Sequence, residues 1–242
     1  MLSEIPNLTE SLDNLKSRIK SAAERAGRNP DEIVVVAVTK TVGIDALKAL
    51  ADLGWPDIGE NRVADAIDKA RALPDNKFIW HMIGHLQSNK VKKAAGLFDY
   101  IHSLDNIRLA EELQAEALKL HKVIRVLIQV NVSNEATKSG IKPEELPLFY
   151  KTLTGIVSGS TGSGLIITGL MTMAPVIPPG QEAQVRPYFR KLRELRDKLK
   201  SDFIGNDNPE ELKYLSMGMS QDFEVAIEEG ANMLRIGTAL FS

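Results

Sequence analysis

The sequence predicts a closed (β/α)8 barrel preceded by one extra helix. Three observations carry that reading. Short apolar runs, many of them β-branched, alternate with helical patterns along the chain, which argues a parallel sheet. Eight such runs can be counted, and the length of 242 residues is close to the ~250 typical of such barrels. A doubly wound open sheet would alternate in the same way, but no G-x-G-x-x-G follows the first strand. The expected organisation is one domain over residues 1–242.

The elements follow in order. Leu8, Leu12, Leu15, Ile19 and Ala22 recur at helical spacing within Met1–Gly27 and predict an amphipathic helix. Strand one is Ile33–Val38, an almost unbroken apolar run of the kind buried on both faces. A helix follows near Ile44–Leu53. Strand two is short, Asp57–Gly59, with a helix near Val63–Ala72. Strand three, Phe78–Ile83, leads to a helix near Lys90–Ala95. Strand four is Tyr100–His102, and Asp105 is the candidate N-cap of a helix over Asn106–Leu120. Strand five is Ile124–Val132, followed by a helix near Pro143–Thr154 with Pro143 suited to its first turn. Strand six is Leu165–Met171. The long helix Ala183–Leu199 comes next, and its run Arg190–Lys200 reads as a solvated face with i,i+4 pairs. Strand seven is Tyr214–Ser216, with a helix over Gln221–Glu229, and strand eight is Met233–Ile236. Gly155–Gly164 has four glycines and three serines and reads as a flexible surface loop. Ala174–Gly180 has three prolines and cannot be helical.

Composition narrows the function. A net charge of -2 gives no strong field, so nucleic acid is not an expected partner. No apolar stretch approaches the ~20 residues of a membrane span, and the N-terminus lacks the apolar core of a secretory signal. Without cysteine there is no disulfide framework, thiolate nucleophile or thiolate metal site. The four histidines lack metal-ligand spacing. These features suit a soluble cytoplasmic protein.

In a barrel the C-terminal ends of the strands open on one face, where chemistry resides. Lys40 lies just past strand one, in Ala37-Val38-Thr39-Lys40-Thr41. A lysine set beside a low-dielectric core loses proton affinity, and a neutral amine attacks carbonyls to form a Schiff base. It can equally cap the strand and snorkel to water. Strands seven and eight, the usual phosphate site of barrels, end in Ser216-Met217-Gly218-Met219-Ser220 and Arg235-Ile236-Gly237-Thr238. Ser220 is a candidate N-cap, and Gly237-Thr238 offers backbone N–H groups and a hydroxyl. A plain cap and a turn glycine would look the same. An amine opposite a phosphate cradle implies a ligand with both an aldehyde and a phosphate, and pyridoxal 5'-phosphate is the obvious candidate. Arg235 then either faces the pyridine nitrogen, which it would keep unprotonated, or makes an interior ion pair with Glu224 or Glu228. His81 reads as a packed, hydrogen-bonded core residue, and Met171, Met173, Met217 and Met219 as core filler unless a ligand is present.

These phrases, with Ile58-Gly59-Glu60-Asn61-Arg62, Trp80-His81-Met82-Ile83-Gly84-His85-Leu86-Gln87-Ser88-Asn89-Lys90 and Gly169-Leu170-Met171-Thr172-Met173, resemble the YggS/PROSC family of pyridoxal-phosphate homeostasis proteins. The resemblance spans nearly the whole chain in order. It implies a barrel like the N-terminal domain of bacterial alanine racemase and a Schiff base on Lys40. It implies phosphate held by Ser216, Ser220, Gly237 and Thr238, with Arg235 near the pyridine nitrogen. Asn61, His85 and Met171 fall on motif positions assigned to the pocket. Thr39 stands where serine is frequent, which keeps the hydroxyl.

Three functions compete at this point. One is a cofactor binder acting in intracellular homeostasis, expected as a monomer that passes pyridoxal phosphate to apo-enzymes. The second is a racemase of the alanine racemase type, which needs an acid/base group on each face of the substrate adduct. The chain stops at Ser242, so no second domain is expected to supply one, and Tyr214 sits at the wrong end of its strand. The third is a sugar- or indole-phosphate enzyme, for which Glu60 is the only candidate base at a strand end. The binder is the expectation.

Overall fold

A computed structural model describes residues 8–75, 77–135, 137–157, 162–203 and 211–242. Eight parallel strands close into a barrel in chain order. They are β1 (Val34–Val38), β2 (Asp57–Glu60), β3 (Ile79–Met82), β4 (Tyr100–Leu104), β5 (Val123–Gln129), β6 (Gly164–Met171), β7 (Tyr214–Ser216) and β8 (Met233–Ile236). Closure comes from β1 pairing with β8, Val34 opposite Met233 and Ala37 opposite Ile236.

The helices alternate with the strands. They are α1 (Leu8–Arg25), α2 (Ile44–Asp52), α3 (Val63–Ala72), α4 (Val91–Leu97), α5 (Ile107–Lys119), α6 (Leu146–Val157), α7 (Arg186–Phe203), α8 (Phe223–Glu228) and a short α9 (Thr238–Phe241). The apolar stripe read from the sequence, Leu8, Leu12, Leu15, Ile19 and Ala22, is the buried face of α1. Its other face is tied to α8, where Arg18 and Arg25 pair with Glu224 and Glu228 at 2.8 and 3.0 Å.

Successive strand residues point alternately into and out of the barrel. Val36, Leu127, Met171, Tyr214 and Met233 pack together as an apolar cluster inside it, separate from the larger core between strands and helices. One step further along the same parity come Val38, Lys40, Gln129, Met173 and Arg235, which open on the mouth. The strand pattern therefore decides which side chains a ligand could meet.

Several expectations are corrected. Strand four runs on to Leu104, so Ser103 lies within it and is buried. The N-cap of α5 is Asn106, whose side chain accepts from the Leu109 N–H at 2.8 Å, and not Asp105. Strand five ends at Gln129, leaving Asn131 in the following turn. Pro143 precedes α6, in a turn, and α6 continues through Gly155 to Val157. Of the expected Gly155–Gly164 loop, residues 158–161 lie outside the described residues. The long helix carries no i,i+4 pairing along Arg190–Lys200. Arg190 and Arg193 instead reach Glu229 at 3.0 and 3.2 Å, because that carboxylate is buried and needs cationic partners. Among the described residues no helix is long and apolar enough to cross a membrane.

Candidate functional site

A cavity of about 690 Å³ opens at the C-terminal ends of the strands. Lys40, Asn61, His85, Ser220, Arg235, Gly237 and Thr238 all line it. Five strand ends, those of β1, β2, β3, β7 and β8, thus converge on one hollow, as barrel topology requires.

Lys40 follows β1 and is exposed at the mouth. Its place at the mouth is the one expected for a strand-end lysine, and its exposure fits an amine that reaches water. What holds it is the residue before it. The Thr39 hydroxyl donates to Glu60 Oε1 at 2.6 Å, and Lys69 Nζ donates to the same oxygen and to the Thr39 carbonyl, each at 2.7 Å. Thr39 and Glu60 are fully buried on the outer side of the strands, so this cluster pins the backbone from which Lys40 projects inward. Glu60 is committed to Lys69 and does not line the cavity, so it is not available as a base for sugar-phosphate chemistry.

The far side of the cavity is the β7–α8 and β8–α9 turns. The turn after β7 needs Gly218, whose φ is +94° and whose Cβ would lie 2.6 Å from the Ala226 methyl. Ser220 is not the N-cap of α8. Asp222 holds that position, its carboxylate accepting from the Met219 N–H at 2.6 Å. The Ser220 hydroxyl oxygen instead accepts from the Gly237 and Ala239 N–H groups at 3.3 and 3.1 Å, which joins the two turns. The Gly237 N–H is therefore engaged rather than free. Thr238 is exposed beside it and lines the cavity.

Arg235 forms the floor and is 5% exposed. Its guanidinium donates to Ser216 Oγ at 2.7 Å and to the Thr172 carbonyl at 2.9 Å. Burial pulls its pKa down to about 10, against the opposing pull of Asp222. The ion pair with Glu224 or Glu228 is not made, because Arg18, Arg25 and Arg186 occupy those carboxylates.

Ser216 and Met171 do not line the cavity. Ser216 is fully buried beneath it, between Arg235 and His102. Met171 belongs to the apolar cluster inside the barrel. The register explains both: Met171 pairs with Ser216 and Ser216 with Met233, two residues before Arg235, so both lie one layer below the mouth. Sequence reasoning missed Gln129, Ser139 and Glu182, and the apolar lip Pro175, Val176 and Ile177. Gln129 has the right parity on β5, and the prolines of Ala174–Gly180 mark a loop over a strand end. Those two signals were available in the sequence.

Residues 11–242 match the family model of the alanine racemase N-terminal domain. The chain is 43% identical over 235 residues to the pyridoxal phosphate homeostasis protein of Aquifex aeolicus, covering 97% of each. The chain belongs to this family. The protein of the same name from Pseudomonas aeruginosa is 37% identical over 234 residues, covering 97% of this chain and 94% of that protein. Among solved structures, PipY of Synechococcus elongatus, with PLP bound, matches with a TM-score of 0.80 and 32% identity. That match covers 97% of this chain and 100% of PipY. An alanine racemase of Clostridium difficile 630 matches with a TM-score of 0.74 at 15% identity, over 98% of this chain and 60% of the racemase, which shows the shared barrel fold.

Proposed function

We propose that this member of the pyridoxal phosphate homeostasis family binds pyridoxal 5'-phosphate covalently through Lys40 and acts as a holder and donor of the cofactor rather than as an efficient enzyme. The observation that carries the reading is the convergence of an exposed amine, two hydroxyls and a buried guanidinium on one cavity. The donor set fits the group. Lys40 supplies the amine, Thr238 and Ser220 face the side where a phosphate would lie, and Arg235 offers N–H donors not used by Ser216 or Thr172. A volume of about 690 Å³ lies within the range of small-molecule and cofactor sites, roughly 300–1,000 Å³.

When bound, pyridoxal phosphate supplies an aldehyde that condenses reversibly with amines. The chain's own residues then have distinct tasks. The Glu60–Lys69–Thr39 cluster fixes the backbone that aims Lys40 into the cavity. Thr238 and Ser220 would hold the anionic end. Arg235 would stand as a cation at the ring end, where it would oppose protonation of a pyridine nitrogen and so weaken the ring as an electron sink. Lys40 is exposed, so an incoming amine or an acceptor protein can reach it.

No tyrosine lines the cavity among the described residues, and Tyr214 is packed at the opposite end of the barrel. This supports the holder over a two-base racemase. The same reading extends to a cytoplasmic monomer built as one domain over residues 1–242, with apo-enzymes that use the cofactor as acceptors. Titrating the ligand-free protein with pyridoxal phosphate tests the proposal: a saturable visible band is expected, and no uptake would end it.

A further inference from the structure

A polar column runs through the barrel beneath the cavity. Asp57 Oδ1 lies 2.9 Å from His81 Nε2, His81 Nδ1 lies 2.9 Å from His102 Nε2, and His102 Nδ1 lies 2.9 Å from Ser216 Oγ. Arg235 donates to that same oxygen at 2.7 Å. His81, His102 and Ser216 are fully buried. The residues come from β2, β3, β4, β7 and β8. Strands β4 and β7 are not neighbours in the barrel, so the His102–Ser216 contact crosses its interior. Barrel interiors are ordinarily filled with aliphatic layers, and a polar chain in that place needs every member satisfied.

We propose that Asp57, His81, His102 and Ser216 form a one-directional hydrogen-bond relay that positions Arg235 at the cavity floor. The direction follows from donor and acceptor bookkeeping. Arginine only donates, so Ser216 Oγ accepts at one end. A carboxylate only accepts, so His81 Nε2 carries a proton at the other. With neutral rings, His81 Nδ1 then accepts, His102 Nε2 donates, and His102 Nδ1 accepts the Ser216 hydroxyl proton. Every group is satisfied by one arrangement. If His81 were cationic, or the chain ran the other way, both His102 Nδ1 and Arg235 would donate to Ser216. Its own proton would then have no acceptor among its contacts. Burial, His81 and Arg235 together push the His102 pKa well below its ordinary value, which agrees with a neutral ring.

The consequence concerns Arg235. No carboxylate bonds it directly among the described residues, yet it is buried. The aligned dipoles of Ser216, His102 and His81 point from the guanidinium toward Asp57, whose side chain is 17% exposed at the opposite mouth. They hold the guanidinium plane and support its charge. Tyr100 stacks on His81 with ring centroids 4.5 Å apart, and Arg125 lies over Tyr100, so the far end is also ordered. Among the described residues, the side chains of Asp57, His81, His102 and Ser216 hydrogen-bond to no cavity-lining residue except Arg235, and they are positioning residues. Their effect on a ligand rests on the proposed function, in which Arg235 faces a pyridine nitrogen.

The test has two arms. The first uses ligand-free, ¹⁵N-labelled protein carrying His85→Asn and His121→Asn, which leaves only the two buried rings. Long-range ¹H–¹⁵N correlation spectra at neutral pH are expected to show both rings as neutral Nε2–H tautomers. An Nδ1–H tautomer or a cationic ring at either position would overturn the relay. In Ser216→Ala, His102 keeps its Nε2–H toward His81 while its Nδ1 loses the hydroxyl that donates to it, so the Nδ1 resonance should move to that of an unbonded imine nitrogen; an unchanged Nδ1 resonance would also count against the relay. The second arm compares pyridoxal phosphate with its carbocyclic analogue, in which carbon replaces the pyridine nitrogen. Ser216→Ala should weaken the first by about tenfold and leave the second nearly unchanged. A merely structural role would weaken both alike. If the unaltered protein bound neither ligand, the proposed function would fail while the tautomers alone decided the relay.

Discussion

Arg235 and Ser216 are joined by a 2.7 Å hydrogen bond inside the barrel, and this bond separates two serines that the sequence makes look alike. Ser216 and Ser220 flank the same turn and both read as phosphate ligands. Only Ser220 reaches the cavity. Ser216 serves the guanidinium below.

Thr238→Ala should weaken pyridoxal phosphate binding without unfolding the protein. The change removes a donor to a doubly charged group, worth roughly 1.5–3 kcal/mol or about 10- to 150-fold in affinity. Thr238 is exposed, so the fold has little to lose. Isothermal titration with pyridoxal phosphate and with pyridoxal checks it. Pyridoxal binding should hardly change, and equal losses for the two would remove Thr238 from the phosphate site.

Glu229 gathers three arginines. Its carboxylate is 4% exposed and receives Arg186, Arg190 and Arg193 at 3.1, 3.0 and 3.2 Å. Burial raises its pKa, but the bonds from Arg190 and Arg186 outweigh it, so the folded value lies below the ordinary one. A depressed carboxylate stabilises the fold above its unfolded pKa, and that contribution is lost as pH falls through the folded value. Glu229→Ala should cost roughly 2–3 kcal/mol at pH 7, less than a fully buried pair because the arginines are partly exposed. The loss should shrink below about pH 4. Urea unfolding at both pH values checks it, and a pH-independent loss would contradict the ion-pair account.

Racemisation should be slow. Arg235 disfavours a protonated ring nitrogen, and no tyrosine among the described residues faces the cavity to act as a second acid/base group. One missing group of that kind forfeits about 10²–10⁴-fold. Polarimetry with several amino acids on cofactor-loaded protein is the measurement. Turnover near or above ~1 per second, within the ordinary enzyme range, would move the protein to the racemases.

The barrel was legible because helical patterns bracket the strands whose own signals are weak, β2, β4 and β7, while β1, β5 and β6 are strong apolar runs. The mouth residues Lys40, Gly237 and Thr238 were legible from position alone, since a strand end fixes where its next residue goes. Two things were not. Helix caps depend on one backbone angle, which is why Asp105 and Ser220 were misplaced by one or two residues. Contacts across the barrel interior depend on register between strands that are not neighbours. His102 and Ser216 are separated by 114 residues and two intervening strands, so no local pattern announces their bond.

The central claim is that Lys40 carries the cofactor. Protein loaded with pyridoxal phosphate, reduced with borohydride, digested and analysed by peptide mass spectrometry tests it most directly. The adduct is expected on Lys40, and Lys40→Ala should abolish both the adduct and the visible band. An adduct on Lys69, Lys138 or another lysine, or a Lys40→Ala protein that still takes up colour and label, would contradict the account.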